Sequence, residues 1–537
     1  MPTAEGRVAA VGRRVDGFGL GVGAITAGLA AFLLLRLHAL PPHEDETLAF
    51  FVSRRPLGEV LETVLGERGG APLHYLLAYT AARIDPGLTS LRVISVAFAV
   101  ASVPVVAALA ARLTDRRAAL CATLLTAASW TMLYHGIYAR MYSLFLFTST
   151  LSLLLLLRAL ERRTRGRWAL WAAATLALLA TQPYGVLVLA AEVVYVGVAW
   201  LRRPLPLRAP LVALAALVVL AGPLWRTYFL LASRFEVGLG AGSGSELGSP
   251  LDVVEYLWEV LGDFTAGWLA VSAPVALVAL LGFVVLARTR PESAQLMGAA
   301  VVVTTLALVA ARSGAGASLE TRHLIFLLPF FATAFAVGLF RIATPAGRAA
   351  PAVVAVGLGL VLAAQVAWGL ERTRWLYTGE PDARSEARAE AAEWLAAGSR
   401  AEDVLFGYEP TYLDAWEEGA PFGDIFIPRA DPKLAVQALE EAGEPLGRGT
   451  WVLDASDELD QDRVRLTIPA LSPGAEFEAQ GFGPFLVLRS REPTETVEGF
   501  LQATLRVQEL SVRLEIGDAG RNLLTTEQAL EDLRAGR

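Results

Sequence analysis

Cysteine occurs once in the 537 residues, at Cys121, and lysine once, at Lys433. A single cysteine excludes an internal disulfide framework and any cysteine-type metal site built by one chain. The scarcity of lysine is no scarcity of cations, because arginine supplies the other 45 basic residues; it reads as the codon bias of a GC-rich genome. Charge is scarce overall. Only 18% of residues are charged against 54% hydrophobic, and the mean hydropathy is +0.48, too apolar for an ordinary soluble protein. No basic tract of the kind that grips nucleic acid is present. The polar C-terminal stretch has neither a glycine-rich phosphate loop nor a nucleophile elbow.

The charge is unevenly placed. From about residue 18 to 370 it sits in short clusters between apolar runs, and beyond 371 the chain reads as a soluble domain. The expectation is therefore a polytopic α-helical membrane domain over 1–371 and a soluble domain over 372–537, which carries most of the net charge of −7. A membrane-crossing helix needs about 20 mostly apolar residues. Eleven segments qualify: 17–40, 91–111, 118–137, 142–160, 168–182, 184–201, 209–231, 264–287, 294–311, 323–340 and 351–370. The first follows Arg7, Arg13 and Arg14 like a signal peptide, but its length and the lack of a small-x-small site predict an uncleaved span. In the tail, strands are expected within 402–408, 449–456 and 483–490 and helices at 383–397, 431–442 and 520–535, an α/β alternation.

Two segments between the first and second spans decide the sidedness. Residues 56–65 put Leu57, Val60, Leu61, Val64 and Leu65 on one face, an amphipathic helix that would lie flat. Residues 72–84, PLHYLLAYTAARI, are apolar but too short to cross. If they stay on one side, the links bearing Arg112/Arg116/Arg117, Arg162/Arg163/Arg165/Arg167, Arg202/Arg203/Arg208, Arg288/Arg290 and Arg341/Arg348 all fall on the side of the N-terminus. The positive-inside bias makes that side the cytoplasm and places the tail outside.

The other polar residues then gather on the outer face. PPHEDETLAF, residues 41–50, brings His43, Glu44, Asp45 and Glu46; Arg92 opens the second span; Tyr138, Arg140 and Tyr142 link the third and fourth; Gln182 and Tyr184 link the fifth and sixth; Arg322 and His323 open the tenth. A carboxylate beside an acceptor hydroxyl can act as general base. Planar guanidinium groups suit a phosphate leaving group. Each residue also has a plain structural reading. The acidic cluster fits a solvated loop, Arg92 a snorkelling side chain, Arg140 with its tyrosines an interfacial anchor, Gln182 and Tyr184 a turn, Arg322 and His323 a solvated pair, and His74 a packed histidine. Their common side joins them.

The order of these elements resembles the polyprenyl-phosphate-dependent glycosyltransferases of the GT-C superfamily, in particular family 39 protein mannosyltransferases and their bacterial aminoarabinose transferase relatives. The likeness rests on an acidic pair after the first span, a PL-Y segment about 25 residues later, LRVIS, ARMYSL and RHLIFLLPFF, and covers about residues 17–345. It implies a GT-C-like fold with an extracytoplasmic α/β domain in the plasma or inner membrane of a bacterium. It further implies inverting sugar transfer from a polyprenyl-phosphate donor to a glycan, lipid or protein hydroxyl. Asp45, with Glu46, would be catalytic; Arg92, Arg140 and Arg322 would bind the donor phosphate. The rest of the cavity would comprise His43, Glu44, His74, Tyr138, Tyr142, Gln182, Tyr184 and His323. Glu44 has no counterpart in the family pattern, His323 replaces its tyrosine, and Gly69-Gly70-Ala71-Pro72 replaces its basic residue and double proline. Residues 232–263 match a long loop expected to cover the site. Some relatives use a divalent metal ion, which the sequence leaves open. The rival classes are a transporter or flippase of a lipid-linked or anionic substrate, and a membrane scaffold with a binding ectodomain.

Overall fold

The structure, a computed structural model, describes the chain apart from residues 1–15, 68–69, 71, 203–205, 207, 236–248, 312–319, 382–383, 424, 430, 456–475, 515, 517–518 and 536–537. Arg7, Arg13, Arg14 and the glycine-rich half of the expected covering loop lie outside the described residues.

The membrane part begins with α1 (Gly17–Leu35), α2 (Glu44–Arg54), α3 (Leu57–Glu62, continued by a π turn at Thr63–Glu67), α4 (Pro72–Ile84) and α5 (Leu88–Leu113). It continues through α6 (Arg116–Ala128), α7 (Trp130–Ile137), α8 (Tyr142–Arg162), α9 (Arg165–Thr181), α10 (Gly185–Arg202), α11 (Arg208–Leu220), α12 (Gly222–Phe235), α13 (Pro250–Phe264), α14 (Leu269–Thr289) and α15 (Pro291–Ala311). A 3-10 segment, Thr321–Leu327, leads into α16 (Leu328–Ala343), and α17 (Ala350–Arg372) closes the bundle.

Among the described residues, seven helical stretches are long and apolar enough to cross a membrane, and the α11–α12 pair, bent by 57°, makes an eighth. One of the seven, Thr321–Arg372, runs for 52 residues and contains both α16 and α17. The chain turns between them at Gly347, whose φ of +54° suits glycine. The expected 118–137 span is broken: Ser129 leaves the helical conformation and its hydroxyl caps α7 by accepting from the Met132 N–H at 3.2 Å. The expected 168–182 span is the 17-residue α9. Every one of the eleven expected segments is helical, in shorter or broken pieces at these places, and the protein is a multi-pass membrane protein. The second half of the expected covering loop is the regular helix α13, held by a Ser249–Asp252 capping box.

Polar residues sit where backbone ends need them. Asp115 caps α6 by accepting from the Arg117 and Ala118 N–H groups at 2.9 and 3.1 Å. Between spans, close approach is made by glycine. A Cβ on Gly282 of α14 would overlap the Ala334 carbonyl of α16, and one on Gly338 would overlap the Val278 carbonyl. The buried Glu192 of α10 accepts from Ser152 at 2.7 Å and Trp171 at 3.0 Å, so its carboxyl is satisfied within the bundle.

The tail comprises α18 (Arg374–Thr378), α19 (Arg384–Gly398), β1 (Val404–Phe406), α20 (Pro410–Glu417), β2 (Phe426–Ile427), α21 (Pro432–Ala442), β3 (Gly449–Asp454), β4 (Phe477–Phe482), β5 (Phe485–Ser490), α22 (Val497–Arg513) and α23 (Ala519–Arg534). The three expected strands and three expected helices are all present. The sheet runs β2-β1-β3-β5-β4, with β1 parallel to both β2 and β3 and β5 antiparallel to β3 and β4. Alternate side chains divide its two faces. Val404, Phe406, Trp451, Leu453, Leu486 and Leu488 pack with α21, α22 and α23. Leu405, Val452, Phe485 and Val487 pack on the other side with α19, α20 and Phe50, Phe51 and Val52 of α2. The sheet therefore shares one apolar core with the helix that carries the acidic cluster.

Of the flat-lying helix expected at 56–65, α3 buries Val60 and the π turn buries Val64, while Leu57 is exposed. The expected short segment 72–84 is α4, with its predicted limits.

Candidate active site

The acidic cluster opens α2. His43 is its N-cap, and its Nδ1 accepts from the Asp45 N–H at 3.1 Å. Carboxylates in a first helical turn are favoured by the unpaired N–H groups there. The three acids then diverge because successive positions on a helix point about 100° apart.

Glu46 turns inward and is fully buried. Arg92, one turn into α5, meets it with a two-point fork: Nε to Oε1 at 3.1 Å and Nη2 to Oε2 at 2.8 Å. The remaining N–H groups of Arg92 reach the carbonyls of Leu37 (3.0 Å), Leu40 (2.9 Å) and Pro41 (3.4 Å). A guanidinium has five N–H groups, and all five are engaged. The Ala139 N–H also donates to Glu46 at 2.7 Å. This buried pair fixes the chain before α2 and the 138–140 segment, and leaves Arg92 no donor for a phosphate. The sequence-based expectation that Arg92 binds the donor and that Glu46 joins the chemistry is not what their geometry supports.

Asp45 points the other way, and a quarter of its side chain remains exposed. Arg140 Nη2 lies 3.6 Å from Oδ1 and Arg322 Nη2 lies 3.4 Å from Oδ2. The Tyr138 hydroxyl donates to Oδ2 at 3.1 Å and lies 2.9 Å from His43 Nδ1. Burial alone would raise the Asp45 carboxyl, but Arg140, Arg322 and His43, together with the Tyr138 bond, hold it well below the usual carboxylate range. The carboxylate is ionised across physiological pH. Arg140 and Arg322 differ from Arg92 in having donors to spare. The Nε of each is buried with no hydrogen-bond partner among the described residues. Arg322 also donates to Glu320 at 2.6 Å and lies over the Tyr142 ring at 5.0 Å.

The other expected residues take several positions. Glu44 turns toward the tail and accepts from Arg429 at 2.5 Å. His74 of α4 is buried, with Nε2 unpartnered among the described residues, and burial together with Arg140 pushes it down to about 3, a neutral imidazole. Tyr138 and Tyr142 stack in parallel 6.5 Å apart. His323 stacks on Tyr184 at 4.6 Å, and its Nδ1 accepts from the Glu320 N–H at 3.2 Å, so it shapes the 3-10 segment and makes no bond to Asp45. Gln182 is buried at the end of α9 and has no hydrogen bond to the Asp45 cluster.

Several residues were not legible in the sequence. His135 packs on Tyr142 at 4.9 Å with Nδ1 unpartnered among the described residues. Glu320 shares Arg322 with Asp45. Asp263, unlike these, ends the segment expected to cover the site, and from α13 it anchors the site's edge through Thr321 and Arg372. Arg429 joins Glu44 to Glu409, a contact 385 residues away in sequence from its Glu44 end. Glu320 adjoins an Arg-His pair, which is a weak local signal; a contact like that of Arg429 leaves none.

A cavity of about 550 Å³ opens at Asp45 between the membrane part and the tail. His43, Glu44 and Arg322 line one wall, and Arg388, Arg429 and Phe485 the other. The donor set does not fit a divalent cation. Asp45 faces two guanidinium groups, Glu44 and Glu46 are each paired with another, and no cluster of three acidic, histidine or cysteine ligands occurs among the described residues.

The membrane-part residues around Asp45 lie on the side opposite the arginine-rich links, since Arg92 sits near the start of α5 and Arg112 in its last turn, and Tyr142 and Arg162 are the two ends of α8. ArnT from Cupriavidus metallidurans bound to undecaprenyl phosphate superposes with a TM-score of 0.56 over 88% of this chain and 98% of that chain, at 15% identity. Its apo form superposes equally, at 14% identity. The chain shares the fold of ArnT. Residues 70–225 of the chain match the family model of dolichyl-phosphate-mannose-protein mannosyltransferase, a region that contains Arg92 and Arg140 but neither Asp45 nor Arg322. The archaeal oligosaccharyltransferase AglB from Archaeoglobus fulgidus, in complex with an inhibitory peptide and a dolichol-phosphate, overlaps more loosely. Its TM-score is 0.48 over 89% of this chain and 75% of that one, at 12% identity. No curated protein sequence matches the chain.

Proposed function

We propose that this protein is a membrane glycosyltransferase that moves a sugar from a polyprenyl-phosphate donor to an acceptor hydroxyl, with inversion, on the extracytoplasmic face. The observation that carries the proposal is a partly exposed carboxylate held between two guanidinium groups whose Nε atoms lack partners. In the reaction the acceptor oxygen attacks the anomeric carbon and Asp45 takes its proton. The bond from that carbon to the phosphate oxygen breaks, and the electron pair leaves with the polyprenyl phosphate. Arg140 and Arg322 receive the charge that develops there. The donor phosphate competes with Asp45 for the same two cations, so binding the donor frees the base and raises its affinity for a proton.

His43 and Tyr138 orient the carboxylate, while Arg92 and Glu46 act through position, as the rigid base of the site. The neutral His74 supplies a polar edge without adding charge, and the buried His135 a second one. The extracytoplasmic tail, the 372–537 domain, forms the far wall of the cavity, where it would meet the acceptor. A transporter would be expected to hold its charged groups near the bilayer midplane; these lie at helix ends. Membranes containing the protein, supplied with a radiolabelled polyprenyl-phosphate sugar and envelope extract, are expected to form labelled acceptor and release polyprenyl phosphate. Movement of intact donor across the bilayer without transfer would overturn the assignment.

A further inference from the structure

A second large cavity shares no lining residue with the one at Asp45 and has no part in the chemistry above. It has a volume of about 780 Å³ and is lined by α9 and α11, each of which presents exposed apolar residues to it. Arg163, Arg165 and Arg208 line one end. The walls are apolar, and Ala169 and Ala173 of α9 face it together with Ala216 and Leu220 of α11; all four are exposed. Trp168, which is buried, closes the cavity near the basic end.

Its dimensions match one leaflet. Between Arg165 and Leu176, α9 rises about 16 Å, and between Arg208 and Leu220, α11 rises about 18 Å at 1.5 Å per residue. Half of the bilayer hydrocarbon is about 15 Å. The far end is set by the 57° bend after Leu220, where the chain leaves the direction of α11. The basic end lies on the face of the arginine-rich links, opposite the candidate active site. Arg163 is exposed and uses Nε on its own helix, donating to the Leu160 carbonyl at 3.3 Å.

We infer that this cavity is a binding site for an anionic diacyl phospholipid of the leaflet on the arginine-rich face, its phosphate held by Arg163, Arg165 and Arg208 and an acyl chain lying between α9 and α11. Apolar walls alone would accept any lipid; three guanidinium groups at the depth of the headgroups select a negative one. The narrow alanine-lined walls distinguish the site from the surrounding surface, where an annular lipid finds no recess. The inference is independent of the sugar-transfer reading, because it concerns another part of the molecule and is read by lipid binding.

The test is native mass spectrometry of the full chain in detergent, titrated with phosphatidylglycerol or with phosphatidylcholine of the same chains. The wild type is expected to retain one phosphatidylglycerol in preference to phosphatidylcholine. The triple variant Arg163→Gln/Arg165→Gln/Arg208→Gln should bind phosphatidylglycerol more than about tenfold more weakly. The double variant Ala173→Phe/Ala216→Phe keeps the arginines and fills the recess, and should lose the retained lipid as well. Equal retention of the two lipids by the wild type would reveal annular binding only and overturn the proposal. So would phosphatidylglycerol retention by either variant at the wild-type level, or its displacement by polyprenyl phosphate at equal concentration.

Discussion

At the scale of single residues, Asp45 and Glu46 are neighbours with opposite fates. Glu46 is buried and saturated by Arg92 and the Ala139 N–H, whereas Asp45 faces the cavity between Arg140 and Arg322. Sequence could locate the pair but not divide the labour, because the division depends on which way each points from the first turn of α2. The same holds for the arginines: Arg92, Arg140 and Arg322 look alike in a sequence, and only the count of occupied donors separates the structural one from the other two. A pH dependence follows. In the free protein, the two guanidinium groups outweigh burial and keep Asp45 ionised well below the usual carboxylate range. A bound phosphate draws on that positive charge, so the pKa of Asp45 rises in the complex. Activity is lost as pH falls through whichever value applies. The acid limb of kcat, which reports the complex, should therefore lie at higher pH than the acid limb of kcat/KM, which reports the free enzyme. Coincident limbs would mean that donor phosphate does not touch these cations.

At the scale of elements, the Arg92–Glu46 pair ties α5 to α2 and to the segment between α7 and α8. Arg92→Met leaves a buried carboxylate without its cation, which costs about 3–5 kcal/mol. A clear fall in the detergent-solubilised melting temperature is expected, and Arg92→Met/Glu46→Leu should recover much of it. If Arg92 instead contacted donor phosphate, Arg92→Met would raise the donor KM and leave the melting temperature in place. Element-scale legibility was good wherever local signals sufficed. The limits of α4 were predicted because Pro72 opens its mostly apolar 13-residue run and Asp85-Pro86 follows it. The break at Ser129 was not, since a serine between apolar runs is also common inside continuous spans, and its role as a cap emerges only from the backbone around it.

At the scale of the whole molecule, the tail and the membrane part meet at the candidate base. Arg429 bridges Glu409 of the tail and Glu44, the residue before Asp45, while Phe50 stacks near Trp416 and Phe51 near Phe426. Burial pushes the Glu409 carboxyl up even beside Arg429, which raises the cost of losing that cation. Arg429→Met should lower kcat roughly 10- to 100-fold by loosening the α2 start, as expected for a displacement of about 1 Å in a catalytic group, with the donor KM nearly unchanged. Arg429→Lys should restore part of the rate, and an unchanged kcat in Arg429→Met would make the tail a passive appendage. The division into two parts was visible in the charge distribution. Their joint core was not, because Phe51–Phe426 proximity arises from apolar residues that each read as ordinary core of their own part.

The most direct test is single-turnover transfer by purified Asp45→Asn with saturating radiolabelled polyprenyl-phosphate sugar. Removal of a general base should slow the chemical step by about 10²- to 10⁴-fold, no added donor should restore it, and the donor should still bind through Arg140 and Arg322. Transfer at the wild-type rate would contradict the account, since no other carboxylate in the described site faces the cavity between two such cations.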